Sequence, residues 1–161
     1  MKPVSQSRLK ELLSLIDESY SARAWHGTNL RGSIRGITAR EASRRPAPGR
    51  HNIWEIVVHC AYWKYIVRRR ILGEKKGSFP LEGSNWFRRP LEPSESAWKR
   101  DVALLLQCHR EMLQAIQTLG DSSLRRKPGG SKVSNAAIIR GIASHDVYHA
   151  GQIQLIKRLI R

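Results

Sequence analysis

The stretch from Asn52 to Gly73 constrains the fold more than any other part of the chain. Ile53, Trp54, Ile56, Val57, Val58, Ala61, Trp63, Ile66 and Val67 place apolar side chains nearly all round one helix. Such a helix has no broad face to give to water, so other elements must pack on several of its sides. Its limits are written in the sequence. Asn52 and Glu55 form an N-x-x-E pattern close to a capping box, and Gly73 offers a stop after Leu72. Only the end, at Arg68, Arg69 and Arg70, reads as solvated, and those cations suit the negative end of the helix dipole.

Three further helices are available to surround it. The first is expected from about Ser5 to Tyr20, with Leu9, Leu12, Leu13, Ile16 and Tyr20 at helical spacing. The third should start near Ser94 and end at Gly120, on a seam of Trp98, Val102, Leu105, His109, Met112, Ile116 and Leu119. The fourth should start near Ser134 and run to the last residues, on a seam of Ile138, Ile142, His145, His149, Gln152 and Ile156. Between the first two lies a connector in which Thr38 to Glu41 reads as a capping box, predicting a short helical turn through Ala42. Four amphipathic helices without a strand signal predict an all-α fold, a four-helix bundle with long connectors. The connector over residues 73–93 has about twenty residues where a tight hairpin needs only a few. It permits, without forcing, a crossover that leaves the second and third helices parallel. Trp86 or Phe87 is expected to pack on the bundle where this connector crosses one of its ends.

A chain of 161 residues, 40% of them apolar, fits one domain spanning 1–161 and can bury a core without disulfides. Cys60 and Cys108 both fall in apolar helical stretches and read as reduced core cysteines. No apolar run approaches the ~20 residues needed to cross a bilayer, and the start, MKPVSQSRLKELL, lacks a signal-peptide core. A soluble cytoplasmic protein without a membrane partner is the expectation. The net charge of +16 raises the question of nucleic acid. Its cations are scattered, however, with small clusters at Arg44-Arg45, Arg68-Arg69-Arg70 and Arg125-Arg126-Lys127, and no zinc-finger or basic-zipper spacing accompanies them. A solvated basic surface, or one that attracts a small anionic substrate, accounts for them better.

The chemistry-bearing residues are histidines. His145 and His149 are four apart on one face of the last helix, a spacing that lets one helix give two nitrogens to one metal. As a pair alone they read more readily as helix histidines bonding separate neighbours. His59, inside the most apolar helix, reads by itself as a core histidine. Glu55, four residues before His59, is a candidate catalytic or orienting residue, with helix capping as its competing role. Gln152, three after His149, is a second candidate, placed to bond a ligand or substrate. Asp146 should point about 100° away from His145 and make a surface ion pair. His109 sits on the third helix's seam and is open to a ligand, supporting or packing role. His26 and His51 fall in connectors and are candidates for a pocket mouth.

The segment Pro46-Ala-Pro-Gly-Arg-His-Asn-Ile-Trp-Glu-Ile-Val-Val-His59 resembles the opening of the second helix in the DinB/YfiT-like family. His145-Asp-Val-Tyr-His149-Ala-Gly-Gln152 resembles that family's closing helix, and the likeness covers nearly the whole chain. The resemblance implies an up-down-down-up bundle. It also implies a metal site, zinc or nickel, on one histidine of the second helix and two of the fourth: His59, His145 and His149. Relatives include metal-dependent transferases and isomerases that use low-molecular-weight thiols, and relatives often form homodimers. Two functions follow as expectations: a metal-dependent enzyme such as a thiol transferase, or a non-catalytic basic module that holds an anionic ligand or nucleic acid around a structural metal. A closed site completed by His109 would favour the structural role.

Overall fold

A computed structural model describes residues 7–161 and is all-helical over them. Six α-helices are present: α1 (Arg8–Tyr20), α2 (Leu30–Ser33), α3 (Ala39–Ser43), α4 (Ile53–Leu72), α5 (Glu95–Gln117) and α6 (Asn135–Ile160), with a 3-10 turn over Asp121–Arg125. The four long helices start and stop close to the expected places, because their caps are local. The side chains of Asn52, Ser94 and Ser134 accept from backbone N–H groups in the first turns of α4, α5 and α6. Gly73 ends α4 at φ 69°, where a side chain would be strained. Thr38 and Glu41 close the capping box of α3. Nothing in the sequence signals α2 or the 3-10 turn, both too short to carry periodicity. The expected first residues of the first helix, from Ser5, lie outside the described residues. Its start is instead held from a distance, since Asp121 accepts from Ser7 Oγ and from the Arg8 and Leu9 N–H groups.

Contacts at the helix ends define the topology. Trp54 bonds Asp101 near the starts of α4 and α5, and Arg68 pairs with Glu111 near their ends, so these two helices are parallel. Lys64 and His59 of α4 meet Asp146 and His145 of α6. Further along, Val67 and Arg70 line a cleft with Ile142 and Ile138, so α4 and α6 run opposite ways. The Ser7–Asp121 bond and the Tyr20–His109 stack set α1 antiparallel to α5. The order is up-down-down-up.

Parallel α4 and α5 oblige the connector to travel back the length of α4, roughly 30 Å at 1.5 Å per residue. It therefore runs along the bundle's side and does not cross an end as expected. Tyr65 Oη accepts from Ser78, Phe79 packs edge-on to Tyr62, Trp63 bonds Asn85, and Arg89 reaches Glu55. Phe87 is buried and Trp86 packs against the helices, so both aromatics dock. α4 is buried along most of its length, as its all-round apolarity required. Cys60 and Cys108 are buried and reduced.

Candidate metal centre

His59 on α4 and His145 and His149 on α6 converge at the level where the two helices cross. The Nε2 atom of His145 lies 3.1 Å from that of His59 and 3.1 Å from that of His149. Two of the three rings have their tautomer fixed from behind. His59 Nδ1–H donates to the Asn85 carbonyl at 2.8 Å, and His149 Nδ1–H donates to Gln152 Oε1 at 2.7 Å. Each of those bonds turns an Nε2 lone pair inward, towards His145. Among the described residues no carboxylate bonds any of the three rings. Burial, helped by the neighbouring rings, pushes His145 down to about 3, and burial with His59 pushes His149 down to about 4. Burial also lowers His59, against the opposing Asn85 carbonyl. Three neutral imidazoles with facing lone pairs could hold a cation, and His59, His145 and His149 form a group whose ligand atoms lie within 4.8 Å of one another. His145 Nδ1 is buried without a partner among the described residues. A second group, Cys60, His145 and Asp146, is equally close. It fits a metal poorly, because burial holds the Cys60 thiol well above its usual range and Asp146 is already paired.

The docked connector forms one wall of the site. Asn85 takes φ 62°, a left-handed conformation that Asn tolerates better than most residues. That turn aims its carbonyl at His59, while its side-chain oxygen accepts from Trp63 Nε1 at 2.9 Å. Next to it, the Trp86 indole lies between two imidazoles. Its ring centroid is 3.8 Å from His59 at 8° and 3.7 Å from His51 at 5°. Neither contact was foreseen. A Ser-Asn-Trp sequence inside a Gly-rich connector marks a turn, but nothing in it names the ring that the turn will face.

The other candidates sort as follows. Gln152 is placed as expected beside His149, and its Nε2 donates to Tyr148 Oη. Glu55 neither closes the capping box with its side chain nor reaches the histidine cluster. Its N–H donates to Asn52, while its carboxylate is gripped by both Arg45 nitrogens and by His51 Nδ1. Burial pushes this carboxyl up, but the bonds from Arg45 and His51 outweigh it and the net shift is downward. Glu55 thus holds the outer end of the His51–Trp86–His59 stack. Asp146 is the clear correction: it is fully buried, with Lys64 Nζ at 2.5 Å from its Oδ2. α6 buries two neighbouring rows. The deeper one is Ile139, Ala143, Asp146, Ala150 and Ile153, and the histidine seam is its flank. His109 is buried against Tyr20, ring centroids 3.5 Å apart, and does not join the metal group. His26 is exposed, whereas His51 lines a cleft of about 290 Å³ with Arg50 and Gln152.

An all-helical bundle with three converging imidazoles on its second and fourth long helices is a narrow class of protein. A family model of the DinB superfamily matches residues 23–153, and the chain belongs to that superfamily. No curated protein and no solved structure matches it significantly. Among the described residues, no helix is long and apolar enough to cross a membrane.

Proposed function

We propose that His59, His145 and His149 bind one divalent metal ion, zinc or nickel, and that the protein is a metal-dependent transferase joining a low-molecular-weight thiol to a small acceptor. The observation that carries this reading is the convergence of three Nε2 atoms, with two of the rings locked by Asn85 and Gln152. Three protein ligands leave a coordination position for substrate, the arrangement of catalytic rather than structural sites. His109, the residue best placed in sequence to close the site, is instead stacked on Tyr20. A divalent cation bound there would lower the pKa of a coordinated thiol or water towards neutrality.

The chain's own residues supply orientation and exclusion of water. The Asn85 carbonyl and Gln152 amide hold the two proton-bearing Nδ1 atoms, so the ligand nitrogens stay free at neutral pH. Trp86 covers one face of His59 and keeps solvent from it. Arg50 and His51, at the mouth of the cleft beside Gln152, present positive and polar groups to an anionic thiol. A cytoplasmic location accords with two reduced cysteines and with the need for a thiol pool.

Elemental analysis of purified protein should give one zinc or nickel per chain, and His149→Ala should lose it while keeping its helix content. Thiol-transfer assays with bacillithiol, mycothiol and glutathione should then show turnover that chelation abolishes. Full metal occupancy in His149→Ala would refute the ligand assignment. Bound metal without turnover for any thiol would favour the non-catalytic module.

A further inference from the structure

A second cleft, of about 240 Å³, opens on the other side of the histidine cluster, between α4 and the first half of α6. His145 forms one end of it and Arg70 lines it towards the other. Its walls are apolar, from Ile66 and Val67 on α4 and Ile138 and Ile142 on α6. Trp63 joins it to the metal centre, since its ring lies 6.3 Å from both His59 and His145 and is held by Asn85. From His145 to Ile138, and from Trp63 to Arg70, is seven residues, roughly 10 Å of helix.

Three features of this cleft bear on what it could hold. Gly141 sits inside α6, in its second turn, where glycine costs helix stability. A Cβ there would meet nothing within 4 Å, so the glycine is not needed for close helix packing; it leaves the cleft open. Val133 is 49% exposed at the cleft's edge, an apolar side chain facing an apolar space that nothing fills. Arg70 is the third of three consecutive arginines. Arg68 pairs with Glu74 and Glu111, and Arg69 donates to the Glu74 carbonyl. Arg70, the one that lines the cleft, has no carboxylate partner among the described residues.

We propose that this cleft is the acceptor-substrate site, and that the acceptor is a small molecule with an apolar body about 10 Å long and a carboxylate at the end away from the metal. The apolar walls take the body, Arg70 takes the carboxylate, and the reacting end lies beside His145. This rests on the transferase reading for the acceptor's role, but not for its binding. The polar-rimmed cleft at Gln152 and the apolar cleft at His145 flank the metal centre on one helix, as a transfer between two unlike substrates requires.

The test is titration of metal-free and zinc-loaded protein with straight-chain carboxylates of increasing length, from butanoate to decanoate, following the Trp63 indole N–H resonance. 1-Octanol serves as the uncharged control. Binding should appear in both forms and tighten about three- to fourfold per added methylene, levelling near octanoate. Gly141→Leu fills the cleft and favours the helix, and should weaken every ligand more than tenfold. Arg70→Gln should weaken octanoate about tenfold and leave octanol unchanged. Absence of binding, affinity independent of chain length, or an equal effect of Arg70→Gln on octanoate and octanol would overturn the proposal. Because the metal-free titration does not require the histidines to bind a metal, a failed cleft and a failed metal centre give different results.

Discussion

At the scale of single residues, two positions carry consequences beyond their own contacts. Asn85 holds His59 through a backbone turn, so what matters is its conformation as much as its amide. Asn85→Gly should keep the left-handed turn and most of the metal affinity. Asn85→Ala loses the same Trp63 bond as Asn85→Gly but also strains the turn, and should cost about 10- to 100-fold in affinity. Competition with a chromogenic chelator measures both, and equal losses would show that the carbonyl is not what orients His59. His109 concerns stability. Burial, with the Lys64 charge nearby, holds its folded pKa at about 3, against 6.5 in an ordinary setting. Below pH 6.5 the unfolded chain therefore takes up a proton that the folded chain refuses, and stability falls with pH down to about 3. This ring alone contributes about 1.4 kcal/mol per pH unit in that window. His109→Phe preserves the stack on Tyr20 and removes the unpartnered Nδ1, so the slope between pH 6 and pH 4 should drop by about that amount. Urea unfolding of metal-free protein at a series of pH values reads it directly; an unchanged slope would mean the ring protonates in the folded state.

At the scale of elements, the connector over residues 73–93 behaves as a fifth structural piece. Trp86, stacked between His51 and His59, is its anchor nearest the site. Trp86→Ala should speed proteolysis within the connector at least tenfold while leaving the circular dichroism of the helices unchanged, because α4 and α5 pack without it. Cleavage of the unmodified chain at Trp86 as fast as in an unstructured peptide would show that the connector is not docked. This element also marks the limit of what the sequence discloses. The four helices, their caps and the inward placing of His145 and His149 were legible because period and capping are local signals. The partnership with His59 was legible only through family resemblance, since nothing local relates α4 to α6. Asn85, and the burial of Asp146 in place of a surface ion pair, were not legible. The first depends on which ring a turn happens to face. The second depends on how wide a stripe α6 buries, which is decided by the number of helices packed around it.

For the whole molecule, the buried pair between Lys64 and Asp146 joins the two helices that carry the histidines. Removing one partner strands a charge in the core, so Lys64→Met alone should cost about 3–5 kcal/mol. The double change Lys64→Met with Asp146→Leu should recover most of that loss, because apolar packing replaces a pair whose desolvation is already expensive. Thermal unfolding of the two variants decides it; a double variant no more stable than the single one would mean the pair contributes packing rather than charge balance. The order in which the histidines occur along the chain has a consequence for biosynthesis. His59 and His145 are separated by 86 residues, whereas His59 and Asn85 are separated by 26. A growing chain can thus assemble His59, Trp63 and the Asn85 turn while α6 is still unmade, but it can offer a cation only one imidazole of the three. On the proposed metal reading, acquisition would be a late event coupled to the arrival of α6, and a ribosome-bound chain stalled before His145 should carry no ion at this site.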